Sequence, residues 1–201
     1  MMRTLGQFVF LLTILVCSSL HAAEDTPALC TLCHGTNANG NIAVRAPKLA
    51  GLDNAYLLRQ LRAFRSGIRG THELDVGGSE MRIIALSLRD DEIQKSLAAI
   101  TNLKGEPTAA TIEGDVTRGQ GLYAACAGCH GNRAEGNRAL NAPSLAAGND
   151  WYWVLQLNNY RNGLRGANPA DTLGGPMRAA ALTLADEQAV LDVVAYINTL
   201  R

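Results

Sequence analysis

The sequence is poor in aromatic residues and has no excess of charge of either sign. Aromatic residues make up 5% of the 201 positions, so ordinary side-chain packing offers little large apolar bulk for a core. The 18 Lys and Arg residues equal the 18 Asp and Glu residues in number. A neutral balance gives no basic surface of the kind that attracts nucleic acid. We therefore expect no nucleic-acid partner, and we expect something other than aromatic side chains to fill the interior.

A hydrophobic run long enough to span a membrane is also missing from the N-terminal region. The apolar run from Phe8 to Val16 is well short of the ~20 residues that a spanning helix needs. It follows a single basic residue, Arg3, and precedes a stretch of small residues. This order is typical of a secretory signal peptide. We predict a signal peptide at residues 1–23, cleaved near Ala22 or Ala23, and an exported mature protein.

Cysteine is scarce, and its placement is informative. Of the 5 cysteines, Cys17 belongs to the predicted signal peptide. The other four form two CxxCH motifs, CTLCH at residues 30–34 and CAGCH at residues 126–130. The mature chain would therefore carry no cysteine outside these motifs.

The two motifs belong to an internal repeat. Cys30 and Cys126 lie 96 positions apart, and so do Met81 and Met177. Without any gap, residues 30–100 match residues 126–196 at 28 of 71 positions. Such self-similarity indicates a duplicated domain. We predict a first domain at residues 24–104, a linker rich in Gly, Pro and Thr at residues 105–115, and a second domain at residues 116–201.

The pattern within each copy is helical. Four segments carry apolar residues at helical spacing, namely residues 53–67, 90–103, 151–163 and 186–200. No segment alternates as a strand would. Residues 71–82 and 167–178 are rich in Gly, Pro and Asp and are predicted to be loops. The expected fold class is all-α with long loops.

Several chemistries use a CxxCH motif. A structural zinc site needs four converging ligands, whereas each copy clusters only three. A thioredoxin-like site accompanies a βαβ pattern, and no strands are predicted. Plain disulfides would leave the histidines and methionines unexplained. Covalent haem accounts for every residue, because Cys30 and Cys33 can bond the two vinyl groups while His34 binds the iron. In the second copy these roles are assigned to Cys126, Cys129 and His130.

The second axial ligand of each iron is predicted to be methionine. Met81 and Met177 are the only methionines outside the signal peptide, and they occupy the same place in the two copies. A thioether completes the coordination of the iron and raises its reduction potential. In the first copy His72 is the competing ligand, but its repeat counterpart is Asn168. Two covalently bound haem c groups would also supply the missing apolar bulk.

With these residues the sequence resembles a dihaem class I cytochrome c, and most closely the cytochrome c4 family. The resemblance covers nearly the whole mature chain and rests on CTLCHG, CAGCHG, APKLAGLDNAYLLRQL, RSGIRG and the two methionine segments. It implies two tandem class I cytochrome c domains, each wrapped around one covalently bound haem c. In that family the two domains pack about a pseudo-twofold axis with the haem propionates facing each other.

The resemblance also implies a function. It predicts a bacterial periplasmic carrier, with possible peripheral attachment to the membrane, that shuttles single electrons between respiratory-chain partners. The donor would be a quinol-oxidising complex or a dehydrogenase, and the acceptor a terminal haem–copper oxidase. Because both faces of each iron would be closed by protein ligands, we expect an electron carrier rather than an enzyme. The alternatives are a cytochrome subunit of a larger, flavocytochrome-like dehydrogenase and, less favoured, a dihaem enzyme such as thiosulfate dehydrogenase.

The two copies differ at their starts. The second begins with DVTRGQGLYAAC, which places Gly119 and Tyr123 on a helix able to cross the last helix near Tyr196. The equivalent positions of the first copy are Ala23 and Pro27. We therefore predict that the first domain lacks its N-terminal helix and shields its haem edge less well.

Arginines recur at matching positions of the two copies. The pairs are Arg65 with Arg161, Arg69 with Arg165, and Arg82 with Arg178. The pattern favours solvated helix faces for most of them. Because a partly buried propionate needs compensating donors, one pair is hypothesised to serve there, with Arg65 and Arg161 as the pair to test.

Overall fold

The computed structural model describes residues 27–201, which form two helical halves joined by an extended segment. We refer to residues 27–104 as the first half and residues 116–201 as the second half. The helices are α1 (Pro27–His34), α2 (Asn54–Arg65), α3 (Val76–Ser87), α4 (Asp90–Thr101), α5 (Val116–His130), α6 (Asp150–Arg161), α7 (Gly174–Ala181) and α8 (Glu187–Asn198). Within this range the β-type pairings are isolated bridges and no strand forms, so the predicted all-α class is confirmed.

Two sequence predictions fall on residues before Pro27. The signal peptide at residues 1–23, with its cleavage near Ala22 or Ala23, lies outside the described residues. The prediction that the first domain lacks its N-terminal helix depends partly on the same residues and therefore stays a prediction. In the described chain, α1 has 8 residues and the equivalent α5 has 15. None of the described helices combines the length and apolar character needed to cross a membrane.

The four helices predicted from apolar spacing are confirmed, and aspartate side chains cap two of them. Asp53 caps α2 by accepting hydrogen bonds from the backbone amides of Ala55 and Tyr56. Asp186 caps α8 in the same way through the amide of Ala189. A carboxylate at this position satisfies backbone donors that have no partner inside the helix and interacts favourably with its dipole.

The prediction of loops at residues 71–82 and 167–178 is wrong in part, because α3 and α7 begin inside these segments. Asp75 caps α3 by accepting from the amide of Gly78, at 3.1 Å. A Cβ at Gly78 would lie 2.0 Å from the Asp75 carboxylate, so only glycine fits beneath this cap. Asp171 and Gly174 repeat the arrangement in α7, where an added Cβ would lie 1.9 Å from the carboxylate. The paired glycines thus start a helix under a carboxylate cap and do not interrupt one.

Each half has its own core. In the second half α5 crosses α8 at Gly119, where an added Cβ would meet the carbonyl oxygen of Asp192 at 2.0 Å. One turn further, the rings of Tyr123 and Tyr196 lie 5.5 Å apart between centroids. This confirms the predicted crossing of the two helices. In the first half, α4 buries Ile93, Leu97 and Ile100 against α1 and α2. Each such fully buried aliphatic side chain contributes about 1.5–3 kcal/mol of burial free energy.

The connecting segment between the halves is anchored on the second half. Asp150, which is 0% exposed, accepts hydrogen bonds from the amides of Thr111 and Ile112 and from the hydroxyl of Thr111. The halves also contact each other directly. Arg138 forms an ion pair with Asp53 across the interface, with the Nε and Oδ2 atoms 2.6 Å apart. The two helical halves therefore form one packed molecule in this structure.

Candidate functional site

The two motif histidines occupy equivalent positions at the ends of α1 and α5. His34 is 5% exposed and His130 is 7% exposed. In each ring Nδ1 lies within hydrogen-bond distance of a proline carbonyl oxygen, at 2.6 Å for Pro47 and 2.9 Å for Pro143. A carbonyl oxygen can only accept, so Nδ1 carries the proton. The hydrogen bond fixes the ring and leaves the Nε2 lone pair available to a metal.

The protonation behaviour of these rings suits the same role. Burial lowers the pKa of His34 and of His130, and the hydrogen bond to the proline carbonyl offsets part of that effect. Both imidazoles are therefore neutral at neutral pH. A neutral imidazole is the form that binds a metal ion.

The four cysteines of the described chain are free thiols in this structure. Cys30 and Cys126 are partly buried, whereas Cys33 and Cys129 are exposed. Burial raises the pKa of Cys30, and it raises the pKa of Cys126 to about 11. Thiols that exchange disulfides have a lowered pKa, because the thiolate is the reactive form. The partly buried cysteine of each motif therefore lacks the lowered pKa of a thiol that exchanges disulfides.

A cavity in the second half gathers the residues that the sequence singled out. Its volume is about 550 Å³, and Cys126, Cys129, His130 and Met177 all line it. The apolar part of the wall comes from α6, α8 and the loop after α5, and includes Leu145, Trp153, Leu157, Tyr160, Val193 and Ile197. Cavities of this size and apolar character are typical of cofactor sites. The structure thus brings both predicted axial ligands and both predicted tethers of the second copy to one chamber.

The methionines lie on helices and not in loops, which corrects the sequence prediction. Met177 is on α7 and Met81 on α3, and both are partly buried. In each helix the capped glycine lies three residues before the methionine. His72, the competing ligand, is exposed, and its Nδ1 accepts a hydrogen bond from the amide of Leu74 at 3.2 Å. This placement favours Met81 over His72.

The expectation of a solvated face is wrong for Arg69 and Arg165. They are 4% and 5% exposed, and both line the cavity of the second half. Arg65, by contrast, donates to the carbonyl of Ala85 at 3.1 Å and pairs with Asp90. These partners of Arg65 belong to its own half of the molecule, the first half. The available sequence signal for the buried pair was that both arginines precede a glycine at the same repeat position.

The residues of the cavity fit a haem group. Its apolar wall suits a porphyrin plane, its two thiols suit vinyl attachment, and its histidine and methionine suit axial coordination. Its polar end carries two guanidinium groups, and the Nε atom of each is buried without a hydrogen-bond partner in the described chain. Carboxylates would satisfy these donors. A tetrahedral Cys/His zinc site does not fit, since no three His, Cys, Asp or Glu residues of the described chain converge on a point.

Comparison with known proteins agrees with this chemistry. A family model described as Cytochrome c matches residues 116–201. A thiosulfate dehydrogenase electron acceptor of Stutzerimonas stutzeri strain A1501 is 32% identical over 168 residues, covering 78% of this chain and 74% of the relative. A cytochrome c4 of Stutzerimonas stutzeri is 31% identical over 194 residues, covering 88% and 90%.

A solved structure shows the same fold. Reduced recombinant cytochrome c4 from Pseudomonas stutzeri aligns with a TM-score of 0.67 at 27% identity, over 89% of this chain and 98% of that chain. The resemblance drawn from the motifs is therefore confirmed. Members of the family bind haem c covalently and carry electrons. This chain belongs to the cytochrome c family, as a homologue of the dihaem class I cytochromes c4.

Proposed function

We propose that this chain binds two haem c groups and carries single electrons between redox proteins of a respiratory chain. The observation that carries the proposal is the cavity of the second half, where Cys126, Cys129, His130 and Met177 share one chamber. Cys126 and Cys129 would form the thioether bonds. His130 and Met177 would be the two protein ligands of the iron.

The first half repeats the arrangement. Cys30 and Cys33 would form the thioether bonds, and His34 and Met81 would be the protein ligands of the iron. Support comes from the gapless repeat of these positions at an offset of 96 residues. It comes also from the hydrogen bond between His34 and Pro47, which has its equivalent in the second half.

The bound haem supplies a one-electron redox couple. The protein's own residues position it, exclude water and set its potential. Methionine ligation raises that potential relative to a second imidazole. The hydrogen bonds of His34 and His130 to proline carbonyls hold each imidazole in one orientation and in one tautomer, with the proton on Nδ1. With a histidine and a methionine on each iron, neither site would offer a position to a substrate, so the role is that of a carrier.

The setting and the partners complete the proposal. We place the mature protein in the periplasm, after removal of residues 1–23. Its donor is a quinol-oxidising complex or a dehydrogenase, and its acceptor is a terminal oxidase. The similarity to cytochromes c4 over most of the chain supports this assignment.

A second candidate concerns the identity of the donor. The 32% identical relative from Stutzerimonas stutzeri is described as the electron acceptor of a thiosulfate dehydrogenase. On that basis the chain would receive electrons from a separate thiosulfate-oxidising enzyme. The site chemistry is the same in both candidates, and only the donor differs.

The experiment that tests the haem assignment is a redox titration with optical detection on the purified, exported protein. We expect two covalently bound haems per chain, both low-spin with a sulfur-to-iron charge-transfer band. Met81→Ala and Met177→Ala should each remove about half of this band, because each deletes one thioether ligand. His72→Ala is the matched control and should leave the band unchanged.

Two outcomes would contradict the proposal. A Met81→Ala protein with the full band would show that another side chain ligates the first iron. A single haem per chain would show that one motif is not a tether. The donor is decided by mixing the oxidised protein separately with a thiosulfate dehydrogenase and with a quinol-oxidising complex. The enzyme that reduces the protein faster is the donor. Reoxidation of the reduced protein by a haem–copper oxidase tests the proposed acceptor.

A further inference from the structure

Four polar side chains, three of them buried and one, Gln60, partly buried, meet where the two halves contact each other. Arg69 donates to the Oε1 atom of Gln60 at 2.5 Å, and Arg165 donates to the Oε1 atom of Gln156 at 2.5 Å. Each arginine also reaches across the interface. Arg69 donates to Gln156 at 3.4 Å, and Arg165 donates to Gln60 at 3.3 Å. We call these four residues the arginine–glutamine cluster.

The cluster is symmetric in both sequence and space. Gln60 and Gln156 occupy the same position of the repeat, as do Arg69 and Arg165. Each half therefore contributes one arginine and one glutamine, and each glutamine oxygen accepts from both guanidiniums. Two positive charges are held together by two neutral acceptors. The contacts made by Arg69 in the cluster are therefore repeated by Arg165.

Neither guanidinium has a carboxylate at ion-pair distance within residues 27–201, although Asp171 interacts favourably with the charge of Arg165. The guanidinium carbons of Arg69 and Arg165 lie 4.2 and 4.4 Å from the ring centroids of Phe64 and Tyr160, and neither arginine forms an ion pair. The Nε atom of each is buried with no hydrogen-bond partner. An arginine cannot escape this cost by losing its proton. Two buried like charges without a directly paired carboxylate are unfavourable, so an anion in contact with both guanidiniums would stabilise the cluster.

The cavity of the second half shows where that anion comes from. All four members of the cluster line it, although Gln60 and Arg69 belong to the first half. The chamber that holds Cys126, His130 and Met177 is thus completed at its polar end by residues of the other half. A haem group has one anionic part, its two propionates.

We propose that the arginine–glutamine cluster binds haem propionates from both sites, so that each arginine sets the reduction potential of both haems. This rests on the proposed function. Arg69 neutralises a carboxylate of the second haem as well as of its own, and Arg165 does the reverse. The cluster makes the two halves one electrostatic unit.

The sign of the effect follows from the charges. Oxidation adds one positive charge at the iron, and a nearby guanidinium opposes it, which raises the reduction potential. Removing one guanidinium should therefore lower the potential. A guanidinium also holds the pKa of a neighbouring carboxyl group down. Its removal should move the pH-dependent part of the potential to higher pH.

The test uses the full holoprotein and measures both midpoint potentials between pH 5 and 9. Arg69→Gln is expected to lower both potentials and to shift their pH dependence upward, and Arg165→Gln should do the same. Arg69→Lys keeps the positive charge, so both of its midpoint potentials should lie close to those of the wild-type protein. Arg45→Gln and Arg133→Gln are matched controls, because they remove the same charge from exposed positions of each half and should move neither potential.

A variant that lowers only the potential of one haem, or neither, would overturn the proposal. If Arg69→Gln does not yield holoprotein, the decision passes to Gln60→Glu and Gln156→Glu. These changes conserve shape and place a negative charge between the guanidiniums, so both potentials should again fall. Cluster variants that bind two haems with unchanged potentials would reject the proposed role of the cluster but not the proposed function. Fewer than two haems in the wild-type protein would reject the proposed function.

Discussion

Asp150 provides the sharpest test of how the connecting segment is held. Its carboxylate is 0% exposed and accepts from the amides of Thr111 and Ile112 at 2.5 and 3.0 Å. It also accepts from the hydroxyl of Thr111 at 2.8 Å and from the side chain of Asn198 at 3.0 Å. One side chain therefore ties the connecting segment to α6 and α8.

The expected cost of its loss follows from these bonds. Hydrogen bonds to a charged group contribute about 1.5–3 kcal/mol each, but the released amides of the segment regain contact with water. We therefore expect Asp150→Ala to lower the free energy of unfolding by about 3 kcal/mol. Asp150→Asn keeps the volume and one acceptor oxygen, and should cost about 1–2 kcal/mol. Asn54→Ala, at the same repeat position in α2, should cost less than about 0.5 kcal/mol.

The assay is denaturant unfolding of the holoproteins at several pH values, monitored by circular dichroism. Burial alone would raise the pKa of Asp150, but the hydrogen bonds from Thr111, Ile112 and Asn198 outweigh it and lower the pKa. Because the pKa of Asp150 is lower in the folded than in the unfolded protein, its carboxylate stabilises the fold in full at pH values above the ordinary pKa of 3.8. This stabilisation is lost as the pH falls through the folded-state pKa. The gap between wild type and Asp150→Asn should therefore be full at pH 7 and shrink below about pH 4. An unchanged gap, or equal costs for Asp150→Ala and Asn54→Ala, would refute this reasoning.

The remaining predictions concern close approaches at glycines. Gly119→Ala should destabilise the second half by about 3 kcal/mol, because its Cβ would lie 2.0 Å from a backbone oxygen of α8. Gly121→Ala in the same helix meets nothing within 4 Å and should stabilise by about 0.5–1 kcal/mol; equal effects at the two sites would be inconsistent with the crossing. Gly78→Ala should disturb the cap of α3 and weaken the sulfur-to-iron band of the first site. Gly77→Ala, in open space, should leave that band intact, and thermal melts with optical spectra decide both cases.

The helices with an amphipathic pattern could be predicted because their signal is local. The caps of α2 and α8 and the apolar spacing behind them are visible in any short window of sequence. The start of α3 could not be predicted in this way, since a glycine pair ordinarily disfavours a helix. Its cap depends on how closely the Asp75 carboxylate approaches the backbone at Gly78, which is a matter of three-dimensional distance.

The site shows the same division. The tethers and the histidines were evident from CTLCH and CAGCH, and the methionines from their count and their equal spacing from the motifs. The roles of the arginines were not evident. Arg65 and Arg69 lie four residues apart, yet one pairs with Asp90 and the other is buried against the opposite half. Sequence spacing does not say which arginine faces the interface.

The sequence by itself determined the duplication, the two attachment motifs, the choice of methionine as a candidate ligand and the all-α class. These depend on residue identity and on spacing along the chain. Only the tertiary structure decided that both predicted ligands of the second half share a chamber with residues of the first, and that two buried arginines face each other across the interface. The physical reason is that the contacts of the cluster across the interface join residues 87 and 105 positions apart, which no local pattern records.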